Sequence, residues 1–106
     1  MSEPRMDFNK LTEAQAERLA VLTEELGEVL QAIGKIERHG YHSRNPLDLT
    51  SPTNQEALER ELGDVTAAIG MLERARDIDA RAVSLRAIVK TKNIIPWLHH
   101  YEAPDV

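Results

Sequence analysis

The sequence predicts an all-α protein. Apolar residues recur at spacings of three and four over long stretches, no segment alternates polar with apolar residues as a half-buried strand would, and two Thr-x-x-Gln/Glu capping signals open the two longest periodic segments. The first helix is predicted from Leu11 to about His39. Its stripe is Leu19, Leu22, Leu26, Val29, Leu30, Ile33 and Ile36, its start is marked by Thr12-Glu13-Ala14-Gln15, and Gly40 ends it. Residues 40–53 hold an Asn-Pro and a Ser-Pro step among other turn formers, and read as a loop long enough to serve a function. Thr53-Asn54-Gln55-Glu56 then opens a second helix through Leu58, Leu62, Val65, Ile69 and Leu72 to about Arg76. A third helix, from about Asp79 through Val83, Leu85, Ile88 and Val89, is expected to stop just before Pro96.

Composition narrows the functional classes. With 106 residues the chain has room for one domain, residues 1–106, and a core this small makes self-association an attractive second source of buried surface. It has no cysteine, which removes disulfides, thiolate nucleophiles and Cys-ligated metals and fits a reducing compartment. The net charge is −5, with 13 bases scattered among 18 acids, so duplex nucleic acid is not the expected partner. Residues 1–7 lack an apolar leader-like core and no segment is long and apolar enough for a membrane span. A cytoplasmic location, without membrane or nucleic-acid partners, is the expectation.

An internal repeat points to the chemistry. Residues 24–38 (EELGEVLQAIGKIER) and 60–74 (RELGDVTAAIGMLER) match at nine of fifteen positions. On a helical wheel Glu25 and Glu28 fall on one flank of the apolar stripe, roughly 60° apart, and Glu61 and Asp64 fall identically on the second helix. If the two helices pack antiparallel through their stripes, the four carboxylates converge beside the seam, where they repel one another unless a cation sits among them. All-oxygen donors without His or Cys suit Mg²⁺, or Mn²⁺, better than zinc, and magnesium implies phosphate chemistry. A single acid pair at this spacing is commonplace on a solvated helix face; its repetition with shared flanking residues sets this one apart.

Glu24-Glu25-Leu26-Gly27-Glu28 followed by Glu61-Leu62-Gly63-Asp64 resembles the EExxE and ExxD motifs of the MazG-type all-α nucleoside triphosphate pyrophosphohydrolases, over roughly residues 12 to 97. The resemblance implies a four-helix bundle assembled as a homodimer or homotetramer. It further implies Mg²⁺-dependent hydrolysis of ribo- or deoxynucleoside triphosphates to the monophosphate and pyrophosphate, in nucleotide-pool house-cleaning, with Glu25, Glu28, Glu61 and Asp64 as metal ligands. The spacer between the motifs, residues 29 to 60, lies toward or beyond the long end of the family pattern.

Around that core, Glu24 lies beside Glu28 on the wheel but turned toward solvent, where it can orient or deprotonate a water, or be a plain surface acid. Lys90 and Asn93, at the close of the third helix, are the expected triphosphate contacts ahead of Lys92, although cations at a helix C-terminus also serve as simple caps. Trp97 is assigned to the substrate as a stacking surface, with core or interface packing as the alternative, and Tyr41 and Tyr101 share that capacity. The four histidines are too dispersed for a metal site, and Arg44 in the long loop reads as solvated. Gly27, Gly34, Gly63 and Gly70 imply close approach of another helix, since glycine inside a helix costs up to about 1 kcal/mol. Two other functions fit the same pattern: a phosphoribosyl-ATP pyrophosphatase, which needs additional basic contacts that form no obvious cluster in the sequence, and a non-catalytic helical oligomerisation or antitoxin-like module.

Overall fold

The computed structural model describes residues 9–102, so the N-terminal segment read above for a leader lies outside the described residues. The order of elements is α1 (Glu13–His39), α2 (Asn54–Arg74), α3 (Ala80–Ile94) and a single 3₁₀ turn (Ile95–Trp97), with no strand among the described residues. Both capping boxes form as expected. Thr12 Oγ1 accepts from the Gln15 N–H while the Gln15 side chain accepts from the Thr12 N–H, and Thr53 and Glu56 repeat the exchange, each box satisfying two otherwise orphaned donors. Gly40 ends α1 with φ 87°, a backbone conformation open to glycine and strained for other residues.

α1 and α2 form an antiparallel hairpin. Val29 and Ala32 on α1 meet Val65, Ala68 and Leu72 on α2, and these five are the buried core of the described residues. They recur at three- and four-residue steps, the narrow seam of two helices packed side by side. The exposed Leu19, Leu26 and Ile33 sit about 60° round α1 from Val29, and the exposed Leu62 occupies the equivalent place beside Val65. The acids lie on the opposite flank of both helices. The hairpin is therefore a two-helix layer with an acidic side and an uncovered apolar side.

α2 ends in a Schellman arrangement: Arg76, with φ 61°, donates its N–H to the Glu73 carbonyl, and Asp77 donates to the Leu72 carbonyl. That turn aims Asp77 back at α1. Arg18 grips it with two bonds, Nε to Oδ2 at 2.6 Å and Nη2 to Oδ1 at 3.1 Å, pinning the end of α2 to the start of α1. Beyond this clasp the described residues do not fold back over the hairpin. Every residue of α3 is exposed, and its only extensive packing is against the following 3₁₀ turn. α3 ends at Ile94, just before Pro96 as the sequence predicts, and Pro96 sits in the 3₁₀ turn that follows.

Among the described residues the expected four-helix bundle does not form within one chain. Two helices pack and a third stands off, giving a radius of gyration of 18.6 Å where a compact chain of this length has about 13 Å. Within the chain no helix makes the close approach expected at the glycines. A Cβ added at Gly27 or Gly63 would meet nothing within 4 Å, while Gly34 and Gly70 face the guanidinium groups of Arg38 and Arg74, one helical turn on.

Candidate metal centre

The antiparallel register brings together the acids that the repeat pairs. Glu25 and Glu28 from α1 and Glu61 and Asp64 from α2 each place a carboxylate oxygen so that all four lie within 4.8 Å of one another. Glu25, Glu28 and Glu61 are half-buried and Asp64 is exposed, so the cluster is sunk into the groove beside the seam and open along one side. Two oxygens, Glu25 Oε2 and Glu61 Oε2, are buried without a hydrogen-bond partner. A buried acceptor left without a donor is costly, and a cation is the partner that satisfies several carboxylates at once.

The electrostatics agree with that strain. Burial raises the Glu25 carboxyl above the ordinary carboxylate range, and the charges of Glu28, Asp64 and Glu24 push it further. Glu61 is raised chiefly by hydrogen-bonding contact with Glu28, with burial and the neighbouring acids adding to it. The donor set is four carboxylates with no nitrogen or sulfur, which fits a hard divalent cation such as Mg²⁺ or Mn²⁺.

The remaining residues assigned from sequence are not drawn into the cluster. Glu24 is exposed on α1 next to Glu25 and acts on it through its charge. Lys90 and Asn93 lie on the detached α3, and Trp97, 82 % exposed, lies on the 3₁₀ turn after it. Two features escape the sequence pattern. The Arg18–Asp77 clasp joins residues 59 apart and has no local signature. A cationic pocket at the loop end of the hairpin includes Lys35, whose one available signal is its place seven residues, two helical turns, beyond Glu28 on the same face.

Among the described residues no helix is long and apolar enough to cross a membrane. Comparison with curated proteins and with solved structures gave no match. Comparison with protein families matched residues 13–99 to the MazG nucleotide pyrophosphohydrolase domain, a span that takes in both acidic motifs, all three helices and the 3₁₀ turn. With its paired acidic motifs on an antiparallel helical hairpin, the chain belongs to the MazG nucleotide pyrophosphohydrolase domain family.

Proposed function

We propose that the protein is a Mg²⁺-dependent hydrolase that cleaves nucleoside or deoxynucleoside triphosphates to the monophosphate and pyrophosphate, in a cytoplasmic house-cleaning role. The observation that carries this reading is the convergence of four carboxylates with two buried, partnerless oxygens. Glu25, Glu28, Glu61 and Asp64 hold the cation, with Mn²⁺ as a substitute. When bound, it neutralises phosphate oxygens and lowers the pKa of a coordinated water. Water oxygen bonds to the α-phosphorus, the bond from that phosphorus to the α,β-bridging oxygen breaks, and pyrophosphate departs. Glu24, solvent-facing and beside the cluster, orients the attacking water and takes its proton.

The active form in this proposal is a homodimer or homotetramer. The accessible surface of the chain is 9318 Å², against about 5,900 Å² for a compact monomer of its mass. The exposed surface includes apolar side chains on α3 (Val83, Leu85, Ile88, Val89) and on the uncovered side of the hairpin (Leu19, Leu26, Leu62). A second copy laid on those surfaces supplies the two helices missing from a four-helix bundle. It also brings Lys90, Asn93 and Trp97 to a carboxylate cluster, as phosphate and base contacts from a neighbouring chain.

The test is incubation with a panel of ribo- and deoxynucleoside triphosphates and Mg²⁺ or Mn²⁺, with products separated by chromatography. Monophosphate and pyrophosphate are expected from the wild type. Glu61→Gln should fall by more than the roughly 10- to 100-fold lost when a group that merely supports a metal ligand is removed. Absence of turnover with every triphosphate overturns the reading.

A further inference from the structure

The acidic groove does not end at the carboxylates. Along α1 the face that carries Glu28 continues through Lys35, about 10 Å further toward the loop, and α2 answers with Ala57 and Asn54, one and two turns before Glu61. There the groove opens into a cavity of about 640 Å³ between the helix ends and the 40–53 loop. Lys35, Arg38 and His39 line it from α1 and Arg44 lines it from the loop, and no carboxylate residue belongs to its lining. In a chain of net charge −5, this is a concentrated block of positive charge beside a concentrated block of negative charge.

The pocket is built by the fold. The loop is stitched to the start of α2 by bonds from the Asn54 and Gln55 N–H groups to the Ser43 and Tyr41 carbonyls, at 2.9 Å each, and by the Asn54 side chain donating to the Gly40 carbonyl at 3.0 Å. Arg44 is tethered by Nη1 donating to the Leu49 carbonyl at 3.1 Å. Within the loop, Asp48 accepts from the Thr50 N–H and hydroxyl, so its carboxylate is engaged locally. The nearby acid on α2, Glu56, is held in the Thr53 capping box and feels the Arg44 charge. Among the described residues none of Lys35, Arg38 or Arg44 forms an ion pair.

We propose that this pocket is a phosphoryl-binding subsite, in which Lys35, Arg38 and Arg44 take the phosphate of a ligand whose other phosphates lie at the carboxylate cluster. It rests on the hydrolase reading and extends it, because the long 40–53 loop then serves to bring Arg44 to two cations of α1. A phosphate held two helical turns from a cation site is either the distal part of the triphosphate, which becomes the leaving pyrophosphate, or a phosphate monoester elsewhere on the substrate. Ammonium and guanidinium donors without competing carboxylates suit both.

The experiment is isothermal titration of the full-length protein, in chelator so that no metal bridges, with pyrophosphate and separately with ribose 5-phosphate. Wild type, Lys35→Met/Arg38→Met, Arg44→Met and Glu61→Gln are compared after circular dichroism has checked their helicity. The double variant should weaken binding at least tenfold, Arg44→Met severalfold, and Glu61→Gln should not weaken it. A loss confined to pyrophosphate identifies the leaving group as the occupant, and a loss confined to ribose 5-phosphate identifies a monoester. Equal binding by wild type and both cation variants, or no binding by any, overturns the subsite. Because Glu61→Gln abolishes hydrolysis in the functional proposal and spares anion binding in this one, the two readings fail separately.

Discussion

The hairpin and α3 are built from the same kind of sequence and meet opposite fates. Both carry apolar residues at helical spacing, yet the hairpin buries Val29, Ala32, Val65, Ala68 and Leu72 between its own two helices, whereas α3 buries none of its fifteen residues. An isolated helix of about 12–15 residues is marginal in water, and most helix stability in proteins comes from packing an apolar face. What separates the two regions is a partner. The 40–53 loop returns the chain antiparallel and a stripe meets a stripe, while after the Schellman turn at Arg76 α3 runs without extensive packing on the hairpin.

Apolar substitutions give the widest expected separation between the regions. Leu72→Ala, in the hairpin seam at 3 % exposure, is expected to cost about 2–5 kcal/mol by chemical denaturation. Leu85→Asp with Ile88→Asp on α3 should leave the hairpin folded but convert the proposed oligomer to monomer in sedimentation and remove nucleotide hydrolysis. If that pair leaves both mass and activity intact, α3 contributes neither an interface nor a substrate contact.

Within the hairpin, the acidic cluster and the Arg18 clasp should titrate in opposite directions. Glu25 and Glu61 are raised in the folded protein, so the native state binds their protons more tightly than the unfolded chain does. Stability of the metal-free protein should therefore fall as pH rises from the ordinary carboxylate range through the raised values. Asp77 is lowered, chiefly by its hydrogen bonds with Arg18, so its contribution is present above the ordinary aspartate range and lost as pH drops through the lowered value. Thermal melts in chelator check both signs. Glu61→Gln should flatten the decline with rising pH and melt higher than wild type at neutral pH, Asp77→Asn should remove the acid-side loss, and Mg²⁺ should raise the melting temperature of wild type but not of Glu61→Gln. A metal-free melt insensitive to Glu61→Gln would mean the carboxylates store no repulsion.

The smallest effect probes the open glycine face. Gly27→Ala adds a methyl that meets nothing within 4 Å in the chain, and should stabilise α1 by about 0.5–1 kcal/mol in a thermal melt. A drop in melting temperature accompanied by loss of oligomer would instead place a neighbouring helix there.

Much of this molecule is legible locally. Thr12 and Thr53 announce their helices because a capping box needs only residues three apart, and Gly40 announces an end because few residues accept its backbone angle. The acid pairs are legible because helical geometry alone sets two side chains three positions apart on one flank. Arg76 shows where this stops: nothing in its side chain marks a left-handed position, so the sequence pattern carries α2 on to it although the helix ends at Arg74. Lys35 and Arg44 show it again, since an ordinary surface lysine and a loop arginine become one pocket only after the loop has folded back onto α2.

The sequence by itself determined the three helices, the capping boxes at Thr12 and Thr53, the end of α1 at Gly40, the doubled acidic motif and the all-α class, because each rests on interactions spanning at most a turn or two of helix. The tertiary structure decided the rest. Antiparallel register brought four carboxylates within 4.8 Å, the clasp from Arg18 to Asp77 closed the hairpin, and the direction of α3 left its apolar face uncovered. Those outcomes depend on which helix faces which, and at what offset, a choice made by the summed packing of the whole seam and not by any short stretch of chain.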